Sequence, residues 1–248
     1  MASGEGVGRA ANRQFYTSVA IGALLIVFAG FARSYYLDAF FYKDPIPALL
    51  HVHGMILTLW FVLFLIQARL VAAGRVDLHR GLGVFAGLVA AMVVVMGGAV
   101  AFLASRREFL AHPNSTRDLV GFAVPAIVGF GILCGFLMNF SLFVGLALYF
   151  RRRPDIHKRL MLLATCSILG PALMRLFLPY IDARGIWSKF ALYDICAFVC
   201  IAYDTIRNRR LHRAFAWGGL FLLVSFPALF LVVRSGVGIQ FAKWLLTR

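Results

Sequence analysis

Gly81 through Ala104 reads GLGVFAGLVAAMVVVMGGAVAFLA, without one charged side chain. A helix rises about 1.5 Å per residue, so about 20 such residues cross the hydrocarbon core of a bilayer. Similar apolar runs recur along the whole chain of 248 residues, which is 62% hydrophobic and 14% charged. A soluble domain rarely exceeds about half apolar residues. In lipid the backbone has no water to bond, so runs of this kind have to be helical. The sequence therefore predicts an all-α, polytopic transmembrane helix bundle of about seven spans. They fall near 16–36, 47–70, 79–104, 121–149, 157–179, 188–206 and 214–233. No long polar stretch interrupts them, so residues 1–248 read as a single integral membrane domain.

Three of these runs open on nearly one phrase: Asp77-Leu78-His79-Arg80, Asp155-Ile156-His157-Lys158 and Arg210-Leu211-His212-Arg213. The net charge of +15 is concentrated in the short connections, which points to topology and to anionic lipid headgroups, not to nucleic acid. The densest clusters, Arg151 to Arg153 and Arg207 to Arg213, fall on one face if the N-terminus is cytoplasmic and the C-terminus outside. That is the orientation expected, in a cell inner membrane. No small-residue cleavage site follows the first apolar run, so it reads as a retained helix. The tail from Gly236 to Leu246 is short and amphipathic, with Lys243 and Trp244 as interfacial anchors.

Small residues predict where helices approach. Gly83 and Gly87 form a glycine pair spaced for close packing, and Gly129, Gly131 and Gly135 stud the fourth span. Pro171 and Pro227 predict kinks. Cys134, Cys166, Cys196 and Cys200 all lie in apolar segments and read as small hydrophobes. Asp77 and Asp155 suit helix entrances, where they cap free N–H groups and meet the positive end of the dipole. The Asp-x-His phrase returns 78 residues later, which suggests a duplicated helical hairpin.

The candidate site residues are the few polar groups inside this apolar frame. His79 and His157 sit at the inner rim. Imidazole is a good ligand for a transition metal or haem iron, and two on facing helices would suit haem b. His51 and His53 lie in the outer half. Residues two apart on a helix point about 200° apart, so His51 shares a stripe with Gly54 and Thr58, and His53 one with Trp60 and Gln67. Arg175 and Asp194 are the most deeply placed charges and suggest a buried ion pair. Alternatively, Arg175 holds an anionic group, a quinone oxygen or a lipid in an outer pocket with Arg33, Tyr35, Tyr36 and Tyr180.

His51-Val52-His53-Gly54, then Gln67 with Arg75, then Leu78-His79-Arg80 with Leu82-Gly83, resemble a bacterial family of uncharacterised polytopic membrane proteins. His157-Lys158-Arg159, Met161 and Arg175 extend the resemblance. More distantly the pattern is similar to ascorbate-reducible transmembrane b-type cytochromes, whose paired histidines hold two haems. Spans four and six carry no histidine here, so that resemblance implies one haem at most. The surroundings of Met161 are also similar to small membrane factors that assist haem–copper oxidase maturation.

Two functions follow as expectations. The first is an inner-membrane protein that binds haem or a transition metal through His79, His157, His51 and His53, with Arg175 serving the outer half. It would transfer electrons or handle cofactor. The second is a non-redox transporter or a structural, lipid-interacting protein whose histidines handle protons.

Overall fold

The computed structural model describes residues 2–43, 45–111, 126–177 and 186–247. For residues 2–13, 126 and 186–189 it describes the backbone only. The described chain is helical, with no strand among the described residues. Helix α1 (Ala2–Phe31) runs into a π-helical turn (Ala32–Tyr36). Then come α2 (Asp38–Phe41), α3 (Ala48–Ala72), α4 (Val76–Ala111), α5 (Ala126–Tyr149), α6 (Pro154–Ser167), α7 (Gly170–Phe177), α8 (Ile186–Asn208), α9 (Arg213–Arg234) and α10 (Gly236–Thr247). Their outer faces carry large apolar side chains more than half exposed, among them Leu25, Met55, Leu88, Val95, Trp217 and Leu231. On a soluble protein so much exposed apolar surface drives association; here it faces lipid.

Five helices are long and apolar enough to cross a membrane, at 14–36, 48–72, 76–111, 127–149 and 213–234. Helices α6 and α7 meet the same length and composition test only when taken together, and they are bent by 45° where they join; counted as one broken span they bring the number to six. The sixth expected span, 188–206, corresponds to helix α8, which is not among the helices apolar enough to cross a membrane. It is long enough at 23 residues but carries Lys189, Asp194, Asp204 and Arg207, which takes it below the apolarity of a lipid-facing span. The third span is longer than expected. At 36 residues, α4 reaches about 54 Å, and its last turns carry Arg106, Arg107 and Glu108 beyond the apolar run.

The contacts of the chain divide it into two compact units, residues 1–94 and 95–248, with the boundary inside α4. In the first unit α1 packs on α3. Ala20, Ala23 and Val27 recur at helical spacing and are buried, as are Ile56, Trp60, Phe61 and Leu63. Helix α3 ends on Gly74, whose φ of 77° is open to glycine and costly for other residues. Its N–H donates to Val71 O, and that of Arg75 to Leu70 O, a pair of bonds that closes the helix's last carbonyls.

In the second unit α5 packs on α6 and α9, and α8 packs on α6, α7 and α9. The duplicated-hairpin reading finds its counterpart only in part: α5 lies against α6, whereas the main partner of α3 is α1. The expected glycine contact is also misplaced. A Cβ on Gly87 would meet nothing within 4 Å, and one on Gly83 only Gln67 Nε2 at 3.9 Å. The close approach is made by Gly131 and Gly135 of α5, against Val233 and against Leu229 and Phe226 of α9. An aromatic cluster of Phe136, Phe190, Tyr193 and Phe226 fills the space beside it. Near Pro227, which has no N–H to give the helix, Asn139 Nδ2 donates to Ser225 Oγ at 3.0 Å and Ser225 Oγ donates to Leu222 O. The tail helix α10 folds back on α9 and α5, with Ala242 and Leu246 buried and Trp244 partly exposed.

Candidate functional site

Helix α6 begins at Pro154, the residue best suited to a first helical turn. Asp155 therefore lies inside that turn and is not the cap that the sequence suggested; Arg153 occupies the cap position and makes no side-chain cap bond. Asp155 instead pairs with Lys158 at 2.9 Å. One turn on, Arg159 points inward. Its Nε donates to Asp204 Oδ2 at 3.1 Å, and its Nη2 donates to both carboxylate oxygens at 3.0 and 2.9 Å. Nη1 donates to Asp155 O at 2.9 Å, and the guanidinium lies over the Phe215 ring, 5.6 Å from its centre. The Arg159 and Asp204 side chains are 6% and 1% exposed, so this is a fully desolvated, fork-shaped pair.

Among the described residues this is a buried ion pair, and the sequence gives no sign of the pairing; the pair expected there was Arg175 with Asp194. Arg175 and Asp194 are not joined among the described ion pairs. Arg175 is exposed and Nη1 donates to Pro171 O at 3.1 Å. Asp194 is 4% exposed, and Oδ1 has no hydrogen-bond partner among the described residues. The signal for Asp204 was present but unused. Tyr193, Ala197, Cys200 and Asp204 follow helical spacing, and all are buried, so Asp204 belongs to the inner stripe of α8. No spacing rule pairs it with a residue 45 positions earlier.

His157 is half-buried and its Nδ1 lies 2.8 Å from Ala147 O. A carbonyl only accepts, so Nδ1 carries the proton and the lone pair of the neutral ring is on Nε2. An imidazole oriented in this way by a backbone carbonyl is the usual arrangement for a metal ligand. His212 caps α9: its Nδ1 accepts the Ala214 N–H at 3.1 Å. Burial, and then the nearby Arg159, hold its imidazole below the ordinary histidine value, against a weaker opposite pull from Asp155 and Asp204.

In the first unit the π-helical turn presents Tyr35 and Tyr36 to α3. Tyr35 OH donates to His51 O at 3.0 Å, and its ring lies 5.5 Å from the His51 ring. Thr58 Oγ1 donates to Gly54 O at 2.7 Å, which leaves Tyr36 OH as the donor in its 2.8 Å bond with Thr58. The Tyr35 ring lies so close to Gly54 that any Cβ there would collide with it. The stripe of His51, Gly54 and Thr58 thus meets the tyrosines, although the His51 side chain stays exposed. On the second stripe His53 is half-buried, with Nδ1 lacking a hydrogen-bond partner among the described residues, as does Gln67 Oε1. Arg33 turns away, over the Phe41 ring, and Tyr180 lies outside the described residues. His79 is half-buried on α4 in the first unit, and His157 belongs to the second.

Among the described residues no group of three or more His, Cys, Asp or Glu side chains is arranged to hold a metal ion. The four cysteines are free thiols. No protein-family model, no curated protein and no solved structure matches the chain.

Proposed function

We propose that the protein is a non-redox carrier of a bacterial inner membrane, moving a proton or a small solute through the bundle of α5 to α9. The observation that carries this reading is the bend between α6 and α7, which we read as a broken span. Helices α6 and α7 meet at 45°, and the join at Ile168 and Leu169 interrupts the ladder of backbone bonds. Carriers bind their cargo where a helix is interrupted at depth, because backbone groups and polar side chains are exposed there to the cargo and not to lipid. Ionisable residues at such positions mark ion and substrate pathways. Here Arg159 and Asp204 close one end of the α6–α8 contact, and Asp194 lies beside the other. The basic rim from Arg151 to Arg213 favours a cytoplasmic inner face in contact with anionic headgroups. The test is charge movement. Vesicles carrying the protein on a solid support should give a transient current after a pH jump, above that of protein-free vesicles. Equal currents would remove the reading.

A second reading, haem b or another transition metal, has one observation in its favour: the Nδ1 bond that orients His157. It predicts that the purified protein shows a Soret band that shifts on dithionite reduction and is lost in His157→Ala. His79, His51 and His53 are the further ligands to substitute in turn. A colourless, metal-free preparation at full yield overturns it.

A further inference from the structure

Among the described residues of the second unit two carboxylates are buried, and they are provided for differently. Asp204 receives three hydrogen bonds from Arg159. Asp194, 4% exposed, has an Oδ1 with no hydrogen-bond partner among the described residues. An ionised carboxylate in an apolar interior needs a cation or several donors to replace its water.

Among the described side chains, the surroundings of Asp194 supply neither; Lys189, five positions earlier on the same helix, is described by its backbone alone. On its own helix the titratable neighbours are Tyr193, Cys196 and Cys200. Helix α6 brings Cys166, buried in its last turn and within electrostatic reach of Asp194. The charged groups of α6, Asp155, His157, Lys158 and Arg159, belong to its first two turns. Arg159 is committed to Asp204, ten residues or about 15 Å along α8. Helix α7 contributes Arg175, which is exposed and bonded to Pro171 O. Helix α9 has no titratable side chain between Arg213 and Arg234. Helix α5, which reaches Tyr193 through Phe136, offers Cys134 alone until Tyr149 at its end. Thiols and a phenol are neutral partners, and none neutralises a carboxylate.

We propose that Asp194 is a proton-binding site, a carboxylic acid held neutral in the packed interior beside the α6–α7 break. It deepens the carrier reading by naming the proton as a ligand of that bundle, and it rests on that reading only for what the proton is used for. A residue with this role needs no net charge when the bundle is closed, and becomes able to exchange its proton when water reaches it.

The experiment reads the acid itself in the full-length protein. Infrared difference spectra over a pH titration should show the carbonyl stretch of a protonated carboxylic acid at neutral pH. Asp194→Asn should lose that band and Asp77→Asn should keep it. Dicyclohexylcarbodiimide, which attacks only protonated carboxyls in apolar surroundings, should modify Asp194 of the unsubstituted protein at neutral pH, as located by peptide mass spectrometry. This second measurement stands even if Asp194→Asn fails to fold. No carbodiimide adduct on Asp194, or a band that persists in folded Asp194→Asn, overturns the proposal. Neither readout depends on transport. A missing pH-jump current with band and adduct present removes the carrier reading alone; a current with both absent removes the proton site alone.

Discussion

Arg159 and Asp204 show what a single buried charge costs without its partner. Truncating one member leaves the other buried without its main partner (Arg159 would keep only Asp155, through one bond to its carbonyl and a carboxylate 3.9 Å away), and such losses run to about 3–5 kcal/mol. Asp204→Ala is expected to lower the thermal midpoint in detergent sharply. The double substitution Arg159→Met with Asp204→Leu should recover most of the loss, since replacing a buried pair by apolar groups of similar volume is often neutral. A double variant no more stable than Asp204→Ala would mean that the pair is more than a satisfied contact. His212 makes a different argument, about pH. Its cap uses the Nδ1 lone pair, and its folded-state proton affinity lies below the ordinary histidine value of 6.5. The neutral ring is therefore the form the fold prefers. Its contribution is complete above the unfolded value, is lost as pH falls through that value towards the folded one, and levels off below. Thermal midpoints measured from about pH 8 to about pH 5 should fall, and His212→Asn, which caps without titrating, should flatten that fall.

At the scale of elements, glycine spacing is legible in the sequence while its use is not. Both Gly83 with Gly87 and Gly131 with Gly135 are spaced for a close crossing. Only the second pair meets a neighbouring helix closely enough to exclude a Cβ, at α9. The difference lies in which face of α4 or α5 is turned inward, and an apolar helix with no polar stripe gives no sign of its inward face. The helices were legible because hydrocarbon thickness sets their length. The break between α6 and α7 was signalled by Pro171, and the long α4 was not, since nothing apolar marks its last turns. Among site residues the charged and imidazole groups could be named, but their partners could not: Arg159 with Asp204, and Tyr36 with Thr58, are joined by tertiary packing across 45 and 22 positions. The glycine contrast can be measured. Gly135→Leu forces atoms into Leu229 and Phe226 and should destabilise by about 1–3 kcal/mol. Gly87→Ala fills open space in a helix and should be neutral or stabilising by up to about 1 kcal/mol. Equal losses at both positions would show that α4 packs as closely at Gly87 as α5 does at Gly135.

At the scale of the whole molecule, the ion pair also bears on topology. Arg159 lies two turns into α6 and Asp204 one turn from the end of α8, so their contact brings the start of one helix to the end of the other. The chain between them leaves one end of the bundle and returns to it. Arg151 to Arg153 and Arg207 to Arg213 therefore flank the same end, a placement that cation counting alone suggested and a side-chain contact supports independently. Helix α8 is the returning leg despite its charges, and its inner stripe is shielded by α6, α7 and α9, which explains how a helix too polar for lipid has a place in the bundle. From that basic end α9 departs again and α10 turns back against it, with Gly238 so close to Val232 O that no Cβ fits there. If the basic end is cytoplasmic, a reporter enzyme that works only outside the membrane should be inactive when fused after Arg210 and active when fused after Thr247. Activity at both sites, or at the first alone, would invert the orientation or deny α9 its crossing.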